Sequence, residues 1–344
     1  MTNYERENSF DNYVTTQTDI KDGIVKKAIH ILITGKCNSN CIFCFSRKEL
    51  SREHFSMDII NSVMQKHFNL GYRILVLSGG EPTIHPDFVK IISSAKLMGY
   101  EYVRVITNGR MFAYKKFLRK SIAAGLDEAT ISIHSHIPKV QDYLSDIEGS
   151  FEQTLNGIKN CINFNLDVKI NIVVSKINLK TLKESLSFFN KLGIKRIGLL
   201  RIMPYGKAWK NKDNLFYNHN NNIKYLDEAL EFSRENKIDI WMNRFDLQLF
   251  KNYPEFVQHP FKFVNEVESK INEFEALIKQ NKKLFCYPER CHYCFLEDFC
   301  KELHEKNTKI KQGIKTIHDD PYVDKNGSIN PINFAKFYAR RFVE

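Results

Sequence analysis

From residue 28 to residue 201 the chain alternates two hydrophobic rhythms. Short runs rich in Ile, Val and Leu fall at 28–34 (AIHILIT), 73–78 (RILVLS), 102–106 (YVRVI), 128–134 (EATISIH), 168–174 (VKINIVV) and 196–201 (RIGLLR). Runs this short and apolar suit parallel strands covered on both faces. Between them, stretches with apolar residues at helical spacing lie at 57–68, 86–98, 111–124, 151–164 and 179–192. Ser56 is placed to cap the first helix and Pro86 to open the second, and Gly71, Gly99, Gly125 and Gly193 each follow a helix. Six such repeats are too few to close an eight-stranded barrel. The expected fold is therefore α/β, an open partial (β/α)6 barrel with its site at the carboxyl ends of the strands.

Beyond residue 201 the rhythm weakens. A helix is expected at 223–236, a short strand at 238–242 and a long charged helix at 263–282. Turn signals follow at Asp320-Pro321, Asn326-Gly327 and Asn330-Pro331. The organisation read from this is an N-terminal tail at 1–27, the partial barrel at 28–207 and a C-terminal extension at 208–344.

With 43% hydrophobic and 26% charged residues, the chain of 344 has the make-up of a soluble globular protein. It holds no run of about 18 apolar residues, and its first 27 residues lack the apolar core of a signal peptide. The protein is read as cytosolic, with no membrane association. The net charge of +11 favours anionic partners, nucleic acid among them. The lysines are scattered and form no basic block, so they are read as a solvated surface.

Composition changes the picture most through cysteine. Eight in a reducing compartment point to metal and away from disulfides. Seven form two groups: Cys37, Cys41 and Cys44, then Cys286, Cys291, Cys294 and Cys300. Cys161 stands alone on an amphipathic helix and is read as a small core residue.

The first group sits in GKCNSNCIFCFSR, directly after the first strand. Three thiolates without a fourth suggest a metal centre with one coordination position left open, although a zinc loop would also use them. The pattern Cys37-x3-Cys41-x-Phe43-Cys44 resembles the signature of the radical S-adenosylmethionine (radical SAM) superfamily, and Ser78-Gly79-Gly80-Glu81-Pro82 resembles its GGEP motif. The resemblance implies a 4Fe–4S cluster on Cys37, Cys41 and Cys44, with Phe43 in the same loop and SAM on the open iron. It places Gly79, Gly80, Glu81 and Pro82 at the SAM amino group. Asn108 of Thr107-Asn108-Gly109, with Ser132 and His134 alternating onto one strand face, would meet the SAM carboxylate and ribose. Val173 and Val174 would offer backbone to adenine, and Arg201 would pair with a carboxylate. The implied reaction is reductive cleavage of SAM to a 5′-deoxyadenosyl radical that abstracts hydrogen from a substrate, with an electron donor such as flavodoxin or ferredoxin.

Cys291-x2-Cys294-x5-Cys300 resembles part of the SPASM run found in C-terminal extensions of that superfamily, but His304 stands where the next cysteine would fall. With Cys286 four thiolates are at hand, enough for one auxiliary 4Fe–4S cluster of the shorter Twitch type. A structural zinc fits the same ligands, and His292 and His304 leave mixed ligation open. His318-Asp319-Asp320 looks like a metal triplet, but Pro321 beside it makes a turn the preferred reading. The SPASM-like half motif favours a peptide or protein substrate. The 27 residues before the first strand are too few for the leader-binding module of many peptide-modifying members, so a peptide substrate would need a separate recognition protein or recognition through the C-terminal tail. A small natural-product or cofactor intermediate is the alternative, and RNA modification a third.

Overall fold

The computed structural model describes residues 14–21, 24–45, 53–245, 252–256, 260–268, 270–280, 288–311, 322 and 329–340. Cys286, the His318-Asp319-Asp320 triplet and the Asn326-Gly327 turn lie outside them.

Five parallel strands carry the site: β2 (Ile24–Thr34), β3 (Ile74–Gly79), β4 (Tyr102–Thr107), β5 (Glu128–Ser132) and β6 (Asp167–Val174). They pair in chain order, β2 to β6. Strand β7 (Arg196–Arg201) is next in that order. The sheet is open, as the repeat count requires. A strand that periodicity did not reveal, β1 (Val14–Lys21), pairs antiparallel with β2 along its whole length. Its sequence, VTTQTDIK, is too polar to read as a covered strand, and an edge strand needs only one apolar face.

Helices α1 (Met57–Asn69), α2 (Phe88–Met98), α3 (Lys115–Ala123), α5 (Ser150–Asn163) and α6 (Leu182–Lys191) fall where helical spacing was read. Ser56 does cap α1, its hydroxyl accepting from Ile59 N at 3.4 Å. One helix was missed, α4 (Pro138–Ser145), too short to show a clear period. One face of the sheet buries Ile29, Ile31, Ile33, Leu75, Leu77, Val103, Val105, Ile131, Ile170 and Ile172. Each contributes about 1.5–3 kcal/mol by leaving water. The opposite face is apolar at Ala28, Ile74 and Val76, with Tyr102 and Ile106 of β4 packed against them, and carries the charged residues Arg104, Glu128 and Lys169.

The chain divides into two compact units, one of Met1–Gly198 with Tyr205–Ile238, the other of Leu199–Pro204 with Asp239–Glu344. The first unit also holds α7 (Gly206–Lys210), α8 (Lys212–Leu215) and α9 (His219–Glu235). The second holds β8 (Asp239–Asn243), α10 (Pro260–Glu268), α11 (Ile271–Gln280), α12 (Pro288–Cys291), α13 (Glu297–Lys311) and α14 (Pro331–Arg340). The long helix expected at 263–282 is thus two. The break lets both Phe263 and Phe274 meet Phe299, at 5.4 and 5.5 Å between ring centroids. Among the described residues no helix is long and apolar enough to cross a membrane.

Candidate active site

Strand β2 ends at Thr34, and the chain turns at once into the cysteine loop. What brings that loop against the end of β3 is the absence of two side chains. A Cβ on Gly79 would lie 2.3 Å from the Thr34 carbonyl oxygen, and one on Gly80 would lie 2.2 Å from that of Lys36. The gap is filled by hydrogen bonds from Gly80 N to Thr34 O and Glu81 N to Lys36 O, both 2.7 Å. The two glycines were expected to admit a ligand to the backbone. In the structure the backbone they admit is the chain's own, and it carries Cys37.

Glu81 is likewise tied into the protein. It is buried, and both carboxylate oxygens are engaged within the protein. Oε1 accepts from Thr83 N at 3.0 Å, from the Thr83 hydroxyl, and from the Thr107 hydroxyl at 2.6 Å; Oε2 accepts from Asn108 N at 2.7 Å. Burial pushes this carboxyl above the usual range, and the donors pull it back. Glu81 therefore joins the ends of β3 and β4, and Pro82 starts the short turn that Glu81 caps.

Asn108 extends the same tie to the cysteine loop, donating from Nδ2 to Asn38 Oδ1 at 2.6 Å and Ser39 Oγ at 3.1 Å. Arg110 donates to the Asn38 carbonyl and, through Nε, to Gln153 Oε1 on α5 at 2.7 Å. The end of α4 holds the middle of the loop through Asn40 N to Ser145 O at 3.0 Å and Ile42 N to Leu144 O at 3.1 Å. Residues after β7 hold its far side: Lys207 N donates to Cys44 O at 2.9 Å, Lys207 Nζ to Asn40 O at 3.0 Å, and Asn211 Nδ2 to Ile42 O at 3.1 Å. Arg110, Asn211 and α4 carried no signal in the sequence, because each contact joins segments far apart in the chain, 72 residues for Arg110 and Asn38.

The three thiols so positioned lie near enough to oppose one another's ionisation. Burial pushes the Cys41 thiol up to about 12, and Cys37 and Cys44 add to the effect. Ser39 N donates to Cys37 Sγ at 3.4 Å, a bond suited to a thiolate. Among the described residues no three Cys, His, Asp or Glu side chains gather round one ion position. A cubane does not ask for that, since each cysteine takes a separate iron. The donor set therefore fits a cluster with three protein-held irons.

At the end of β5, Ser132 pairs with Asn171 of β6, and its half-buried hydroxyl has no partner among the described residues. The strand stops there, two residues short of the expected end, because the Gln141 side chain takes the His134 N–H at 2.7 Å. His134 is buried, accepts at Nδ1 from Val173 N at 3.1 Å, and sets its ring edge-on to Phe43 at 4.6 Å. Its proton is therefore on Nε2, and burial pulls its pKa down to about 3. This corrects the expectation that Val173 is open to adenine: its N–H goes to His134 and its carbonyl to Asn178 Nδ2 at 2.9 Å. The Val174 side chain is buried.

Below Ser132 on the same strand face is a charged row that the sequence did not suggest. Glu128 receives Arg104 Nε at 2.6 Å and Lys169 Nζ at 3.0 Å, with the Tyr102 hydroxyl at 3.1 Å.

Residues 31–189, which carry all three loop cysteines and the glycine pair, match the model of the Radical SAM superfamily. The chain carries a radical SAM domain. The domain implies a 4Fe–4S cluster and S-adenosylmethionine. Among curated relatives, a probable GTP 3′,8-cyclase of Saccharolobus solfataricus is 30% identical over 207 residues, 59% of this chain and 64% of that protein. Its counterpart from Sulfolobus acidocaldarius is 32% identical over 193 residues, 56% and 59% of the two chains. The chain thus spans less than two thirds of these relatives. Streptococcus suis SuiB bound to precursor peptide SuiA superposes with a TM-score of 0.53 at 14% identity, covering 66% of this chain and 50% of that one. A structure of anSMEcpe with bound AdoMet and a peptide gives 0.51 at 16%, covering 61% and 62%. These likenesses show the radical SAM fold.

Outside the radical SAM domain, Arg201 and the second cysteine group belong to the other unit. Cys291 ends α12, Cys294 N donates to Cys291 O at 2.8 Å, and Cys300 lies in the first turn of α13. All three are half-buried. His304 follows Cys300 one helical turn on, as an i, i+4 pair shares a helix face.

Proposed function

We propose that this chain is a radical SAM enzyme whose cluster sits on Cys37, Cys41 and Cys44. Reduced cluster and SAM together supply a 5′-deoxyadenosyl radical that removes hydrogen from an unreactive C–H bond of the substrate. The observation that carries the reading is the three-cysteine loop hydrogen-bonded to the Gly79-Gly80-Glu81 strand end. Gly79, Gly80, Glu81 and Pro82 form the wall for the amino group of SAM, chiefly through backbone, since the Glu81 carboxylate is engaged within the protein. Asn108 orients the loop; Ser132, whose hydroxyl has no partner among the described residues, is assigned to the ribose and carboxylate. His134, neutral with its proton on Nε2, packs Phe43 in place, and Val174 is assigned to adenine; Arg201 is assigned a carboxylate partner. In the test, protein reconstituted with iron and sulfide under anaerobic conditions receives dithionite and SAM. It is expected to release 5′-deoxyadenosine and methionine, and the variant with serine at Cys37, Cys41 and Cys44 none. Cleavage persisting in that variant would refute the assignment.

The second cysteine group is assigned one auxiliary 4Fe–4S cluster on Cys286, Cys291, Cys294 and Cys300, which with the peptide-bound fold relatives favours a peptide substrate. The charged row of Arg104, Glu128 and Lys169 favours a second reading, a small anionic metabolite. Turnover of a free small molecule without any peptide would select it.

A further inference from the structure

One peptide unit of the cysteine loop is gripped at both ends. Its N–H, that of Ser39, donates to Cys37 Sγ at 3.4 Å. Its carbonyl, that of Asn38, accepts from the Arg110 guanidinium. A hydrogen bond received at a carbonyl polarises the whole amide and strengthens the bond its N–H makes. The Arg110 side chain is itself fixed. Its Nε is held by Gln153 at 2.7 Å, its backbone N by Asn108 Oδ1 at 3.1 Å, and the guanidinium also reaches Ser39 Oγ at 3.4 Å. Arginine's rigid planar fork lets it meet both Asn38 and Gln153, which a lysine ammonium cannot do in the same geometry. No carboxylate pairs with Arg110 among the described residues. On the opposite side Lys207 takes the Asn40 carbonyl in the same manner, at 3.0 Å.

We propose that Arg110 is a positioning residue for the iron–sulfur centre, acting through the Asn38–Ser39 peptide on the sulfur of Cys37. The inference rests on the cluster assignment made above. One-electron reduction adds negative charge to a thiolate-held cluster. Hydrogen bonds to its sulfurs and nearby fixed cations both favour the reduced form. Arg110 supplies both, one through the peptide and one through its own charge. It touches neither thiol nor substrate, so its effect is on potential and retention.

The test compares wild type, Arg110→Gln and Arg110→Lys, each reconstituted with iron and sulfide. Iron and sulfide content is assayed, and the midpoint potential is read by dithionite titration followed by electron paramagnetic resonance. Arg110→Gln is expected to be harder to reduce by about tenfold in the one-electron equilibrium, near 59 mV. Arg110→Lys, which keeps the charge, is expected to fall between. Wild-type potential and iron content in Arg110→Gln would overturn the proposal. Should Arg110→Gln lose the iron of the first centre, retention decides: Arg110→Lys that keeps that iron supports the charge-based role, and Arg110→Lys equally without it overturns it. Wild-type protein that takes up no iron would instead overturn the reading of the site, and this inference with it.

Discussion

Gly80 shows how one missing methyl group governs the site. Its φ is ordinary, so the constraint is contact alone: an alanine Cβ would fall 2.2 Å from the Lys36 carbonyl oxygen. Gly80→Ala must push the cysteine loop away from β3, breaking the bonds from Gly80 N and Glu81 N. Overpacking of this kind costs about 1–3 kcal/mol, and urea denaturation should register it. Iron content after reconstitution should fall with it, and full iron in a variant destabilised by that amount would show that the loop does not need the contact. His134 carries the pH signature of the same region. Its ordinary pKa of 6.5 falls to about 3 on folding, so between those values the unfolded chain takes up a proton that the folded chain refuses. Stability must therefore drop as pH falls from 6.5 towards 3. In His134→Gln, which keeps an acceptor for Val173 N, the acid limb should be flatter across that window. Parallel limbs for the two proteins would exclude His134 as their source.

At the scale of elements, α5 depends on a carboxylate from the preceding helix. Asp142 of α4 accepts from Gly149 N at 2.8 Å, the Ser150 hydroxyl at 2.9 Å and Phe151 N at 2.8 Å, filling the free amides at the start of α5. Burial works to raise this carboxyl, but the N–H groups of Phe151 and Gly149 and the Ser150 hydroxyl outweigh it and leave it below its ordinary 3.8. Asp142→Ala should cost about 1 kcal/mol. The depressed pKa means the stabilisation is complete above 3.8 and is lost as pH falls through the lower folded value. The gap between wild type and variant in thermal melts should thus close in acid. The strands and helices that sequence made legible are those with many apolar positions at one period. Asp142 and α4 were hidden because α4 is eight residues long and its task is polar. The cysteine loop could be read because its ligands are local in sequence. Arg110 could not, because its meaning lies in a carbonyl brought close only by the fold.

For the whole molecule, the two compact units suggest a division of labour that metal analysis can check. Cys291, Cys294 and Cys300 belong to a unit built on its own aromatic core, where Phe299, beside Cys300, touches Phe263, Phe274, Phe334 and Tyr338. The hydrogen bonds described above for the loop of Cys37, Cys41 and Cys44 come from residues of the first unit. Serine at Cys291 and Cys294 together should therefore remove the second metal centre and leave the first intact. Reconstituted wild type should hold roughly eight irons, two cubanes with four each, and the double variant roughly half. SAM cleavage should survive in the variant while formation of product fails. Zinc in place of iron would leave the wild type at roughly four irons and the variant unchanged in iron. Loss of SAM cleavage together with the second centre would mean that the first centre depends on the second.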